Sequence, residues 1–75
     1  MFKVYTQENC PNCEDLKAFL YENGVEFEEL DVNKDTKARA MMIMNDLETT
    51  PAMYINGSVL GGEVDQIKAK VMEIL

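Results

Sequence analysis

The chain has 75 residues, enough for one small domain whose core buries little more than about 60% of the surface that the unfolded chain exposes. Its formal net charge of −7 and its lack of histidine argue against nucleic acids and anionic membrane surfaces as partners. No apolar run approaches the length of a membrane-spanning helix and the first residues lack the apolar region of a signal peptide, so we expect a cytoplasmic, single-domain protein over residues 1–75.

The first predicted element is a strand over Phe2–Thr6, where aromatic and β-branched side chains predominate. A polar loop over residues 7–9 follows. Apolar residues recur at helical spacing from Pro11 onward. A proline is compatible with the first helical position, because its missing N–H would form no hydrogen bond within the helix. This helix is expected to end at Asn23-Gly24, because glycine is the usual left-handed residue just past a helix.

The two cysteines of the chain, Cys10 and Cys13, form a C-x-x-C motif at the start of this helix. Cys10 falls at the N-cap, where the helix dipole and free backbone N–H groups favour a thiolate and can lower a cysteine pKa from about 8.5 to roughly 3.5–7.5. Cys13 lies one turn further on, on the apolar side. The motif therefore predicts one exposed sulfur that attacks a disulfide and one shielded sulfur that resolves the product.

A metal site is the alternative interpretation of the motif, because paired cysteines in a reducing compartment serve redox or metal chemistry more often than structure. A tetrahedral site needs about four ligands. The chain has no further cysteine and no histidine, so only a dimer bridged through Cys10 could complete a zinc or iron–sulfur centre.

A second strand is predicted over residues 25–32, where apolar and acidic residues alternate before the pattern slips by one residue. Asn33 or Asp35 can cap a second helix over residues 36–46. Its apolar side chains cover more than one stripe, so we expect some methionine to stay exposed. Such methionine is either adaptable core filler or a contact surface for a partner.

The dipeptide Asn56-Gly57 separates two β-type runs and predicts an antiparallel hairpin, because a type I′ turn needs positive φ at both central residues. A glycine pair then precedes a last helix, whose apolar residues recur at helical spacing: Val64, Ile67, Val71 and Ile74. The order βαβαββα, with crossover connections early in the chain, predicts an α/β fold with a central four-stranded mixed sheet flanked by helices.

Three motifs resemble, in order and spacing, those of the glutaredoxin family within the thioredoxin fold. The C-P-N-C motif is similar to the family's dithiol. The other two are Thr49-Thr50-Pro51, similar to a T-V-P segment whose proline is cis, and Gly61-Gly62-Glu63-Val64-Asp65, similar to a G-G-x-[ST]-D segment that receives glutathione. The compact length and acidic character are also similar to glutaredoxin-like redoxins that reduce ribonucleotide reductase.

The resemblance implies a thiol–disulfide oxidoreductase of protein disulfides, with Cys10 and Cys13 as its catalytic residues. It also implies a set of substrate-binding residues: Thr50, Pro51, Gly61, Gly62 and Asp65. With a cis bond before Pro51, the backbone of Thr50 would face the cysteines and pair with an extended peptide. We expect no bound cofactor and no metal, and a monomer.

The expected partners are disulfide-containing proteins, with ribonucleotide reductase as one possibility, and an electron donor. The donor is either glutathione or a thioredoxin reductase, and the sequence does not choose between them. From the residues alone, the glycine pair is equally explained as a helix-entry turn. Asp65 is equally explained as an acidic first-turn residue favoured by the helix dipole, and Pro51 as an edge-strand proline.

Two departures from the family pattern concern glutathione. The family commonly has a lysine three residues before the first cysteine, where Gln7 stands, and a hydroxyl residue where Val64 stands. Glu8, Glu14 and Asp15 add negative charge around the motif. Because glutathione is itself an anion, these features favour a protein partner with a basic surface.

Overall fold

Seven elements follow the predicted order in the computed structural model, which describes residues 2–75. They are β1 (Phe2–Thr6), α1 (Pro11–Glu22), β2 (Glu28–Asp31), α2 (Thr36–Met44), β3 (Ala52–Ile55), β4 (Ser58–Leu60) and α3 (Val64–Ile74). The predicted βαβαββα order is thus confirmed. No helix within the described residues is long and apolar enough to cross a lipid bilayer.

The four strands form one mixed sheet in the order β2-β1-β3-β4. The central strand β1 runs parallel to β2 and antiparallel to β3, and β3 and β4 form the predicted antiparallel hairpin. This register sets Thr6 beside Asp31 and Tyr5 beside Ala52. The loop after β1, which carries Cys10, therefore starts between the end of β2 and the beginning of β3.

Two hydrophobic clusters lie on opposite faces of the sheet, because successive strand residues point to opposite sides. Val4 packs on the face covered by α1 and α3, and Tyr5 on the face covered by α2. The buried members of the first cluster are Val4, Leu16, Leu20, Val25, Met53, Ile55, Ile67 and Val71. Those of the second are Tyr5, Ala38, Met42 and Ala52.

Two elements are shorter than the sequence predicts. The strand predicted from residue 25 begins at Glu28, because the Val25 N–H donates to the Leu20 carbonyl at 2.9 Å and remains tied to the end of α1. The second helix ends at Met44 rather than at residue 46. Asp46 has a φ of 58°, which an α-helix does not accommodate.

The predicted caps and turn agree with the structure. Asp35, one of the two predicted caps, accepts hydrogen bonds on Oδ1 from the backbone N–H groups of Lys37 and Ala38, at 3.0 and 3.1 Å. Asn56 and Gly57 have φ values of 47° and 96°, as a type I′ turn requires. These features depend on a few neighbouring residues, which explains why the sequence predicts them well.

Methionine is divided between the core and the surface, as predicted. Met42 and Met53 are buried, whereas Met44 and Met72 are 77% and 52% exposed. The exposed Met44 ends α2 next to Ile43, which is also exposed. The surplus of apolar residues on α2 therefore does not all enter the core.

Candidate active site

Cys10 occupies the predicted N-cap of α1. Its backbone is extended, with φ −118° and ψ 93°, and its Sγ accepts a hydrogen bond from the Cys13 N–H at 3.1 Å. The preceding Asn9 has a φ of 56°, which turns the chain from β1 into the helix. The helix N-terminus therefore directs a backbone donor and its positive dipole end at this sulfur.

Cys10 and Cys13 form a disulfide, with the two Sγ atoms 2.07 Å apart. Cys13 is completely buried, whereas Cys10 is partly exposed. An incoming sulfur atom can therefore approach Cys10 and not Cys13. This is the division into exposed and shielded sulfurs that the helical spacing predicts.

Thr50 lies against the Cys10 sulfur, as the resemblance implies. Its hydroxyl donates a hydrogen bond to Cys10 Sγ at 3.4 Å, and its carbonyl oxygen lies 3.8 Å from the same atom. The sulfur of a disulfide carries no proton, so the second approach is a contact rather than a hydrogen bond. The Thr50–Pro51 peptide bond is cis and Pro51 is fully buried.

Neither glycine of the Gly61-Gly62 pair lines the cleft next to Cys10, and neither does Asp65. A Cβ atom on Gly61 would overlap the Leu47 side chain, and Gly62 has a φ of 96°. Asp65 is exposed in the first turn of α3. Local packing and backbone geometry thus explain both glycines, and a substrate-binding role for these three residues stays a prediction.

Four carboxylates line the cleft of about 550 Å³ beside Cys10: Glu8, Glu14, Glu29 and Asp31. The sequence identifies Glu8 and Glu14 because they are close to the motif in the chain. It misses Glu29 and Asp31, which the parallel pairing of β2 with β1 brings to the cleft. The acidic residues of the predicted second strand were the available signal, but only the register shows which end of the sheet they reach.

Lys17 connects two of these carboxylates. Its Nζ lies 2.7 Å from Glu14 Oε2 and 2.9 Å from Glu29 Oε2. The same Glu29 oxygen accepts a hydrogen bond from the Thr6 hydroxyl at 3.0 Å. The hydrogen bonds to Glu14 and then to Glu29 raise the pKa of Lys17, and the hydrogen bond from Lys17 lowers the pKa of Glu29.

The described residues supply no candidate metal centre. Within residues 2–75, no group of three or more histidine, cysteine, aspartate or glutamate side chains could hold a metal ion. The metal-carrier alternative therefore finds no support in the fold of the single chain.

Comparison with known proteins agrees with the resemblance of the motifs. Residues 2–60 match the family model described as Glutaredoxin. Glutaredoxin 3 of Escherichia coli strain K12 is 38% identical over 61 residues, which cover 80% of this chain and 74% of that protein. The chain also superposes on the crystal structure of the thioredoxin-like protein BC3987 with a TM-score of 0.85 and 41% sequence identity, and the superposition covers 100% of both chains.

A more distant structure supports the fold alone. NrdH-redoxin from Escherichia coli, described as glutaredoxin-like, has a TM-score of 0.77 at 20% identity, with 91% of each chain covered. Together the superpositions confirm the predicted α/β thioredoxin fold with its four-stranded mixed sheet.

Proposed function

The chain belongs to the glutaredoxin family, and from that membership we propose that it is a thiol–disulfide oxidoreductase that reduces disulfides in proteins. The observation that carries the proposal is the asymmetry of the dithiol: Cys10 is partly exposed at a helix N-cap and Cys13 is completely buried. A dithiol of this kind can exchange two electrons with a partner disulfide through one sulfur at a time.

In the proposed reaction the Cys10 thiolate attacks one sulfur of the substrate disulfide. The substrate S–S bond breaks, one substrate thiolate leaves and takes up a proton, and Cys10 is joined to the other substrate sulfur. Cys13 then loses its proton and attacks the Cys10 sulfur, which releases the second substrate thiol and forms the Cys10–Cys13 disulfide. Two electrons have passed from the dithiol to the substrate. Of the two protons that the substrate thiols gain, one comes from Cys13 and one from the solvent, into which Cys10 released its proton when it ionised. A reduced donor of the dithiol or thiol class restores the starting state.

Two hydrogen-bond donors support this chemistry at the attacking sulfur. The Cys13 N–H and the Thr50 hydroxyl lie 3.1 and 3.4 Å from Cys10 Sγ. Donors aimed at a sulfur stabilise its thiolate, both before the attack and when Cys10 leaves a mixed disulfide. The backbone of Thr50 adds an edge to which an extended segment of a substrate can pair.

Trapping experiments test the roles of the two cysteines. Cys13→Ser should form a stable mixed disulfide with an oxidised protein substrate, because the resolving thiol is absent. Cys10→Ser should neither reduce the substrate nor trap it, since the remaining thiol is buried. Non-reducing electrophoresis and mass spectrometry identify the trapped species. Trapping by Cys10→Ser instead of Cys13→Ser would reverse the assignment.

The charge of the cleft supports protein partners with a basic surface over glutathione. Four carboxylates line the cleft beside Cys10, and Gln7, which also lines it, brings no positive charge. A protein with a basic surface is steered toward such a cleft, whereas an anionic tripeptide is repelled. The charge therefore favours a protein reductase as electron donor. The proposal also keeps what the sequence predicts, namely a cytoplasmic monomer with ribonucleotide reductase as a target.

Parallel turnover assays decide between the two donors. We expect reduction by thioredoxin reductase to be faster than reduction by glutathione with glutathione reductase. We also expect the rate with thioredoxin reductase to fall as salt is added, because the Debye length shrinks to about 8 Å at physiological ionic strength and further above it. Dithiothreitol, an uncharged dithiol, serves as the control, since its rate should respond little to salt. Efficient turnover with glutathione, together with salt-independent rates for the protein reductase, would contradict the proposed partner class.

A further inference from the structure

Lys17 forms ion pairs with two carboxylates of the acidic cleft. Its side chain is only 16% exposed, while those of its partners Glu14 and Glu29 are 73% and 45% exposed. Glu14 and Glu29 both line the cleft shared with Cys10, so the ammonium of Lys17 is held next to the acidic lining. A partly buried charge with two short contacts is screened less by water and salt than an exposed one.

The other charges around Cys10 are held more loosely. Glu8 and Asp31 complete the acidic lining, and Lys34 approaches Glu8 only to 3.8 Å, with both side chains about three-quarters exposed. Exposed pairs of this kind contribute little. Arg39 and Glu48 line the groove that includes Thr50, and both are exposed and opposite in charge. Lys17 is therefore the most firmly placed cation among the described groups that surround the cleft.

We propose that Lys17 is a positioning residue for the reaction of Cys10, because it compensates the cleft carboxylates that would otherwise oppose formation of the thiolate. The inference rests on the proposed function and names a residue that supports it. With Lys17 present, the group of Lys17, Glu14 and Glu29 carries one net negative charge. Without Lys17 it carries two, and a negative potential disfavours an anionic sulfur.

The expected size of the effect follows from the charge change. Removal of one charge across a water-exposed cleft should raise the midpoint of the Cys10 titration by roughly half a unit. Below the midpoint the thiolate fraction then falls about threefold, but a more basic thiolate is also the better nucleophile, with a Brønsted coefficient of about 0.4–0.5. At pH values below the midpoint, the net loss in attack rate is therefore about twofold.

The test measures the rate at which iodoacetamide alkylates Cys10 in the reduced full-length chain, as a function of pH. Lys17→Met should raise the midpoint, and Lys17→Arg should leave it close to the wild-type value. Lys68→Met is the matched control, because Lys68 pairs with Asp15 at 2.9 Å. Asp15 is close to the motif in the sequence, but unlike Glu8 and Glu14 it does not line the cleft, and neither does Lys68. The control removes the same charge from the chain and should move the midpoint little.

A double substitution separates charge from structure. Lys17→Met combined with Glu14→Gln restores the single net negative charge while the bridge stays broken. The inference requires the midpoint to return close to its wild-type value. If the double variant stays at the raised midpoint, or if Lys17→Met does not move the midpoint at all, the inference is wrong.

Two further measurements keep the test decisive. Glu14→Gln alone alters an exposed side chain and leaves Lys17 in place, so it should lower the midpoint even if Lys17→Met fails to fold, and an unchanged midpoint would again contradict the inference. Circular dichroism shows which variants are folded. Alkylation needs no disulfide substrate, so a chain without reductase activity would disprove the proposed function and still reveal whether Lys17 acts on Cys10.

Discussion

Replacement of Gly61 by alanine distinguishes a packing role from a substrate-binding role. A Cβ atom at this position would overlap Cδ2 of Leu47 and would lie 3.0 Å from Cδ1 and 3.1 Å from Cγ. Leu47 is partly buried and packs against the cluster around Tyr5, so its side chain can move away only by giving up some of these contacts. Gly61 has no positive φ, and the expected cost of Gly61→Ala is therefore steric rather than conformational.

The magnitude follows from the kind of overlap. Overpacking costs about 1–3 kcal/mol, and we expect about 1–2 kcal/mol for Gly61→Ala, because the overlap involves the end of a flexible side chain. In a domain of this size each kcal/mol lowers Tm by about 4–8 °C, so Tm should fall by roughly 4–16 °C.

The Tm is measured by thermal unfolding, followed by circular dichroism, for four proteins: the wild type, Gly61→Ala, Leu47→Ala and the double variant. Truncation of Leu47 removes the overlapping atoms, so the double variant should be more stable than the sum of the single losses predicts, by roughly 1 kcal/mol. Gly24→Ala is the control. Gly24 has a φ of 68° and open space around its Cβ position, so its loss should not depend on Leu47.

Two results would refute the packing explanation. One is a loss for Gly61→Ala that Leu47→Ala does not relieve. The other is an unchanged Tm together with a large loss of turnover with glutathione. The second result would indicate the substrate-binding role that the family resemblance implies.

Three further predictions concern the site and its supports. Gln7→Lys should lower the pKa of Cys10 and improve turnover with glutathione, because it adds a positive charge to the cleft; Gln7→Glu should do the opposite, and an alkylation titration that shifts in neither variant would contradict this. The pKa of Glu29 lies below its ordinary value of 4.5, so its ion pair contributes stability above that pH and loses it as the pH falls through the lowered pKa. Glu29→Gln should therefore flatten the acid side of the curve of Tm against pH, measured from about pH 3 to 7, and an unchanged slope would count against it. Asp35→Ala removes the cap of α2 and should lower the free energy of unfolding by about 1 kcal/mol. Asp35→Ser should retain most of this stability, because serine is also a favoured N-cap residue.

The sequence by itself determined the features that depend on neighbouring residues. Helical spacing after Pro11 places Cys10 at an N-cap and Cys13 on the buried side, and both positions are found in the structure. The positive φ values of Asn56 and Gly57 follow from the turn that joins two strands. Period, caps and turns are local, so a single sequence predicts them. The cis bond before Pro51 agrees with the family resemblance and not with any local preference.

Only the tertiary structure decided which distant side chains meet around the dithiol. The parallel register of β2 with β1 brings Glu29 and Asp31 to the Cys10 cleft and sets Glu29 against Lys17. Gly61 is confined by Leu47, fourteen positions earlier in the sequence numbering, a contact that no local pattern reveals. The physical reason is the same in each case: strand register and helix docking are set by burial of the whole core, and the charges and close contacts of the site follow from them.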